Sequence, residues 1–206
     1  MGVALGDLAD EVANAIERII KGVERISKIV RSMKLFAHPG GEEKTPVDLN
    51  EAIESTIVIT RNEWKYIAEL TTDFDPQLPP VPCLRGEFNQ VILNLITNAA
   101  HAITDAVQAR PGAKGLIHVA TVCRPQWAEI RIQDSGTGIP EAIRHKVFDL
   151  FFTTKEEGRG SGQGLALAHA VIVDQLGGQL RFETAEGRGT TFILRLPRKA
   201  EPDGHG

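Results

Sequence analysis

Gln90-Val91-Ile92-Leu93-Asn94-Leu95-Ile96-Thr97-Asn98-Ala99 lies inside the most regular apolar repeat of the chain. Phe88, Val91, Ile92, Leu95, Ile96, Ala99 and Ile103 recur at three- and four-residue steps, which predicts a helix over 85–107 with one buried face. On the same helix Gln90, Asn94 and Asn98 stand four residues apart, so their amides project along one line. An amide line on so apolar a helix needs something polar in front of it. Its oxygens suit Mg²⁺, which takes oxygen ligands and keeps waters and phosphates in the rest of its shell. Hydrogen bonds to neighbouring loops are the other use of such a pair, and both readings stay open at this point.

The flanks supply the partners of that helix. Residues 44–49 read as a short strand, and Asn50 is expected to cap a helix to about Lys65, with Ile53, Ile57 and Val58 inward. Residues 67–74 alternate like an edge or half-buried strand, and Asp75-Pro76-Gln77-Leu78-Pro79-Pro80 is a loop. Residues 116–123 and 127–133 form an antiparallel pair joined at Arg124-Pro125-Gln126. Pro140 opens a short helix, as proline does at a first turn. Residues 148–154 are aromatic and irregular, and residues 164–176 are helical until Gly177-Gly178 ends them. Residues 179–184 and 190–196 close the chain as a hairpin around Glu186-Gly187. Helices and strands alternate while the last strands pair as hairpins. The fold class this predicts is α+β, a two-layer sandwich with a mixed sheet.

Three glycine-rich stretches carry the remaining chemistry. Asp134-Ser135-Gly136-Thr137-Gly138 follows a strand, so its carboxylate can accept from an exocyclic amine such as that of adenine, and its glycines let a ligand come close to the backbone. An ordinary Asp-Ser-Gly turn is the plainer reading. Gly158-Arg159-Gly160-Ser161-Gly162-Gln163-Gly164 resembles a dinucleotide fingerprint only superficially, since no strand leads into it and no acidic residue follows at the right distance. Its better use is a mobile lid that hands phosphates to the N-terminus of the next helix, with Lys155 and Arg159 neutralising the terminal phosphate. Two solvated surface cations are the alternative.

Ahead of this domain runs a heptad. Leu5, Val12, Ile19, Ile26 and Met33 form one line, Leu8, Ala15, Gly22, Ile29 and Phe36 a second, and Ile16, Val23 and Val30 a flanking third. A stripe this wide suits a helical bundle, and a helix this long cannot bury it alone. A second copy of the chain is the simplest partner; packing on its own domain is the other possibility. His38-Pro39-Gly40-Gly41 ends the helix, and His38 reads as an exposed helix-end residue. The expected division is a dimerisation helix over 1–38, a linker over 39–43, a domain over 44–198 and a tail over 199–206.

Composition sets the outer limits. The chain has 206 residues, 42% of them hydrophobic and 24% charged, as in an ordinary water-soluble domain with an appendage. A net charge of −4 gives no basic footprint for nucleic acid. Cys83 and Cys123 lack metal spacing and read as buried free thiols of a reducing compartment. No apolar run reaches the length of a membrane span and no signal-peptide pattern opens the chain, so a cytoplasmic location is expected, with the possibility of a larger sensor upstream.

Taken in order, these motifs resemble the ATP-binding catalytic domain of sensor histidine kinases, part of the wider gyrase, Hsp90, histidine kinase and MutL class. Asn94-Leu95-Ile96-Thr97-Asn98-Ala99 is similar to the N box, and Asp134-Ser135-Gly136-Thr137-Gly138-Ile139-Pro140 to the first glycine box. Phe148-Asp149-Leu150-Phe151-Phe152-Thr153-Thr154-Lys155 resembles the F box, and Gly160-Ser161-Gly162-Gln163-Gly164-Leu165-Ala166 the second glycine box. Gly187-Arg188-Gly189-Thr190-Thr191-Phe192 resembles the closing motif. One box alone is weak; five in order across residues 44–197 are specific.

The resemblance implies a Bergerat sandwich that binds ATP and Mg²⁺. Asn98 would hold the metal, with Asn94 as a second candidate that also supports the phosphates. Asp134 would hold the adenine amine beside Thr190. Gly136, Gly138, Gly160, Gly162, Gly164 and Leu165 would line the nucleotide, with residues 158–164 as lid. Lys155 would meet the phosphates and, with Asn94, carry the catalytic role. Hydrolytic members resembling Hsp90 carry a glutamate where this chain has Asn94, and an amide is too weak a base to activate water. Transfer of the γ-phosphoryl group to a protein side chain is therefore favoured. The N-terminal helix, by Glu24-Arg25-Ile26-Ser27-Lys28-Ile29-Val30, resembles the second helix of a phosphotransfer hairpin. None of His38, His101, His118, His145, His169 and His205 has the acceptor's His-Glu context. The acceptor is thus expected on another chain or on a part of the kinase not in this sequence, and the implied partners are an acceptor helix, a response regulator receiver domain and a second copy of the chain. A non-catalytic nucleotide-binding dimerisation module, a hydrolytic ATPase and a protein serine kinase of the same class are the alternatives.

Overall fold

The computed structural model describes residues 43–108, 113–155 and 162–199, together with residues 11, 12, 15, 16, 19, 20, 22 and 23. The chain divides into two compact units, Met1–His38 and Pro39–Gly206. In the first, the described residues are helical, and Val12, Ile16, Ile19, Ile20 and Val23 are all exposed. The rest of the expected heptad lies outside the described residues, as do residues 39–42 of the expected linker and residues 200–206 of the expected tail.

The second unit runs β1 (Thr45–Val47), α1 (Leu49–Ile59), α2 (Arg61–Trp64), β2 (Ala68–Asp73), β3 (Val81–Cys83), α3 (Arg85–Val107), β4 (Gly115–Cys123) and β5 (Trp127–Asp134). A 3₁₀ turn (Glu141–Lys146) follows, then α4 (Gly164–His169), a π-helical continuation (Ala170–Gln175), β6 (Gln179–Ala185) and β7 (Gly189–Pro197). The main sheet has the order β2-β4-β5-β7-β6. Only the β2–β4 pairing is parallel; the other three are antiparallel. This is the expected two-layer α+β sandwich with a mixed sheet.

Alternation on the strands decides what is buried. Ile117 and Val119 of β4, Ile130 and Ile132 of β5, and Phe192, Leu194 and Leu196 of β7 all face inward and are buried. Against them lies the apolar face of α3, whose Phe88, Val91, Ile92, Leu95, Ile96, Ala99 and Ile103 are all buried. Each such large side chain contributes about 1.5–3 kcal/mol relative to exposure. That anchoring is what lets the opposite face of α3 carry polar groups. On the outer face of the sheet Glu129 is fully buried beneath arginines: Arg195 Nε donates at 2.8 Å and Arg131 Nε at 2.9 Å, with Arg124 at 3.7 Å. Burial alone would raise its pKa; the hydrogen bonds from Arg195 and Arg131 and their charges outweigh it and hold the carboxyl below its ordinary value.

Several local expectations are corrected. Asp48, not Asn50, caps α1: its Oδ1 accepts the Glu51 N–H at 3.1 Å. Asn50 instead ties the helix to the sheet side, donating to the Asp75 carbonyl at 2.9 Å and accepting from the Thr121 hydroxyl at 2.8 Å. The buried positions of α1 are Leu49, Ala52, Ile53 and Thr56, three, four and seven residues on from the first, a stripe that turns Val58 outward. Val58 is exposed, against the expectation. The helix also breaks at Thr60, whose hydroxyl donates back to the Thr56 carbonyl at 2.8 Å. β3 was not anticipated: three residues with a central proline give little signal, yet Pro82 sits opposite Pro46 in a two-stranded pair with β1. Of the cysteines, Cys83 is buried and Cys123 half-buried, both free, and burial pushes the Cys83 thiol up to about 12.

The expected helix over 164–176 is α-helical only to His169 and then widens into the π-helix, with the Leu176 N–H donating to Val171 O and the Gly178 N–H to Ile172 O. Gly177 ends it at φ +68, with open space around a would-be Cβ. Gly177→Ala should therefore cost only the left-handed backbone strain, about 1–2 kcal/mol. In a thermal melt that is a fall of roughly 2–5 °C for a unit this size; an unchanged melt would contradict the strain account. Among the described residues no helix is long and apolar enough to cross a membrane.

Candidate functional site

The polar face of α3 meets the expected motifs in turn. Near the start of the face, Gln90 Nε2 donates to Asn94 Oδ1 at 3.1 Å, and Asn94 Nδ2 donates to the Gly164 carbonyl at 3.2 Å. Gly164 lies flat on the Asn94 side chain, a would-be Cβ falling 3.6 Å from its amide carbon. One turn on, Asn98 Oδ1 is 3.5 Å from Lys155 Nζ, and the same ammonium lies 2.7 Å from His101 Nδ1. The Thr153 hydroxyl accepts the Lys155 N–H at 3.1 Å, which folds the end of the irregular segment into a small turn. At the far end the Ala102 carbonyl accepts the Thr137 N–H at 3.3 Å.

The turn after β5 is held from both sides. A Cβ on Gly136 would collide with the Ala102 backbone, and one on Gly138, at φ +72, with the Ala185 carbonyl. Gly189, at φ +99, packs its backbone onto the Asp134 carbonyl. Only glycine fits these three places. Asp134 is 5% exposed. Its Oδ1 accepts the Gly136 N–H at 2.8 Å and the Thr190 N–H at 3.3 Å, while Oδ2 accepts from none of the described residues. Burial raises its pKa to about 6 from 3.8, against the lowering effect of the Gly136 and Thr190 hydrogen bonds. A buried carboxylate with one oxygen spoken for and the other uncommitted is poised to accept from a donor of modest charge. Thr190 is equally buried, and its hydroxyl is 3.1 Å from that of Thr184, which also accepts the Ile139 N–H at 2.9 Å.

Asn94, Asn98, Lys155 and Gly164 therefore gather at one end of the α3 face, and Asp134, Gly136, Gly138 and Thr190 at the other. Leu165 is half-buried in the first turn of α4. Gly162, at φ +64, packs on the backbone of Phe151, which itself holds a positive φ of 67. Gly160 and Arg159, with the rest of residues 158–161 of the expected lid, lie outside the described residues. His101 was missed as a member of the group. Its signal was present: it stands three residues after Asn98 and so on the same helix face.

The donor set fits Mg²⁺ and not a softer ion. Among the described residues no group of three or more His, Cys, Asp or Glu could hold a metal. What the site offers is amide oxygen, suited to a hard cation that brings phosphates and waters with it. Of the two amides, Asn94 is clasped on both of its polar atoms and Asn98 is the freer.

Residues 85–200 match the family model described as histidine kinase-, DNA gyrase B-, and HSP90-like ATPase, more than half of the chain and everything from α3 to β7. This chain belongs to that family. Among curated relatives it is 31% identical to the sensor kinase CckA of Brucella abortus (strain 2308) over 90% of this chain and 20% of that protein. It is 32% identical to the signal transduction histidine-protein kinase AtoS of Escherichia coli (strain K12) over 87% of this chain and 28% of that one. The catalytic domain of histidine kinase ThkA, in a nucleotide-free form, superposes with a TM-score of 0.65 at 30% identity, covering 76% of this chain and 97% of that domain. The chain spans about a fifth to a half of the length of the curated relatives it matches. The sandwich is thus the ATPase fold of the family, and the resemblance drawn from the five boxes holds.

Proposed function

We propose that this chain is the catalytic domain of a protein histidine kinase of a two-component system, binding ATP with Mg²⁺ and passing the γ-phosphoryl group to a histidine nitrogen that this sequence does not supply. The observation that carries the reading is that one face of one helix touches three motifs far apart in sequence, and a fourth joins through one of them. The first glycine box docks at Ala102, the F-box lysine at Asn98 and His101, and the second glycine box at Asn94. The closing motif joins through Thr190 on Asp134.

Each group then has a task. Asp134 Oδ2 accepts the adenine amine, while Oδ1 stays with the backbone of Gly136 and Thr190. Asn98 offers its oxygen to Mg²⁺, and Lys155 faces the phosphates. Mg²⁺, when bound, neutralises the oxygens of the transferring group. In the step the bond from the γ-phosphorus to the β,γ-bridging oxygen breaks and a P–N bond forms from the lone pair of the acceptor imidazole's unprotonated nitrogen; the proton on the other ring nitrogen is then released and ADP leaves. Such transfer needs alignment and charge neutralisation and little acid–base help. Asn94 agrees with this: both its polar atoms are tied within the protein, so it clasps α4 to α3 and is no base for water. The partners that follow are an acceptor helix, a receiver domain and a second copy of the chain through the N-terminal helix.

Calorimetry with ATP and Mg²⁺ should register binding. Adding a separate acceptor helix with labelled ATP should give acid-labile phosphohistidine. Binding without any transfer would favour a nucleotide-binding regulatory module, acid-stable phosphate a serine kinase, and no binding at all would end the proposal.

A further inference from the structure

Among the described residues two acceptors of unequal quality face the Lys155 ammonium. Asn98 Oδ1 is at 3.5 Å, the outer limit of a hydrogen bond, and His101 Nδ1 at 2.7 Å is the short contact. An ammonium has donors only, so Nδ1 must present its lone pair and the imidazole must be neutral with its proton on Nε2. A metal ion at the Asn98 oxygen competes with the ammonium there, because both are cations. The imidazole can keep the lysine while the amide turns to the metal. His101 is half-buried on α3, a rigid element, whereas Lys155 ends an irregular segment.

We propose that His101 is a positioning residue: its neutral Nδ1 holds Lys155 at the phosphate end of the site, so that the lysine is in place before nucleotide arrives. Without it the four-carbon side chain loses its short contact to α3, and more of its ordering falls within binding, at a cost in affinity. The inference rests on the nucleotide reading above and deepens it. It concerns the phosphate end, where the His101 ring meets Lys155.

The test uses the whole 206-residue chain and titrates a non-hydrolysable ATP analogue with Mg²⁺, and separately adenosine, into wild type, His101→Ala, His101→Gln, Lys155→Ala and the double variant. His101→Ala should weaken the triphosphate by about five- to thirtyfold, the effect of one charge-assisted hydrogen bond. Adenosine should move less than about twofold. His101→Gln, whose amide oxygen can accept from the ammonium, should recover most of the loss. In the Lys155→Ala background, His101→Ala should add almost nothing, because the lysine it acts through is gone. Equal losses for adenosine and triphosphate, independent additive losses in the double variant, or a Gln variant no better than Ala would overturn the inference. Wild type that binds neither probe would instead sink the nucleotide reading itself. A lowered melt in His101→Ala with unchanged triphosphate affinity would mark the residue as structural and also overturn the proposal.

Discussion

Asp134→Asn should melt higher than the wild type at neutral pH and bind ATP at least about a hundredfold more weakly. Both halves follow from one buried carboxyl. Its pKa is raised to about 6 from 3.8, first by burial. The folded protein therefore holds a proton that the unfolded chain has already released, and stability falls as pH rises between those two values. Above about pH 6 the full penalty is present, of order 3 kcal/mol for a shift of about two units. Asparagine carries no charge to desolvate, and its oxygen can keep the Gly136 and Thr190 N–H groups. The variant's melting temperature should thus lose its slope across that pH window and exceed the wild type's above it. Binding moves the other way. With the amide oxygen committed to those backbone donors, the second position becomes an NH₂ and meets the adenine amine donor to donor. The lost hydrogen bond and the unpaired buried donor together are worth about 3 kcal/mol or more. In the wild type, affinity should likewise drop about tenfold per pH unit below 6, as the carboxylate is protonated. A flat binding profile, or a variant with near-normal affinity, would remove Asp134 from the adenine site.

Why so much of this was legible in the sequence can be seen residue by residue. The face of α3 was readable because helical periodicity is local: seven apolar positions fix which side is buried, and the amides then have only one place to go. Val58 failed for the same reason in reverse, since the short helix α1 offers two overlapping apolar stripes and only packing chooses between them. Asn50 and Asp48 are both good caps, and the choice was made by a distant partner, the Thr121 hydroxyl, which no local rule sees. β3 and the π-helix were invisible because each is set by its neighbours: a proline-bearing triplet against β1, and a helix widened after its sixth residue. The boxes held the residues that the structure gathers along α3, while His101 stayed hidden because histidine has no fixed place in that pattern. Only the distance to Lys155 reveals it. The Asp134 turn shows the converse: its glycines read as room for a ligand, yet the space at Gly136 and Gly138 is filled by Ala102 and by the Ala185 carbonyl.

The other end of the site should respond separately. Asn98→Ala is expected to lower phosphoryl transfer by about a thousandfold and Mg²⁺–ATP affinity by about a hundredfold, while adenosine binding stays within about twofold. The reasoning is one of missing alternatives. Among the described residues no acidic or histidine cluster can take the metal, and Asn94 has its Oδ1 on Gln90 and its Nδ2 on Gly164. With Asn98 shortened, the ion keeps only phosphates and water and loses its tie to the helix. Lys155 also loses its 3.5 Å neighbour but retains His101, so some charge neutralisation persists and the triphosphate still binds weakly. Because Ala is a better helix former than Asn and position 98 is only half-buried, the fold should be intact and its melt unchanged or slightly raised. The contrast with Asp134→Asn is the decisive feature: that change must weaken adenosine and ATP alike, whereas this one must spare adenosine. Measuring both ligands on both variants separates the adenine anchor from the metal anchor, and an Asn98→Ala protein that still transfers phosphate at near wild-type rate would place the metal elsewhere.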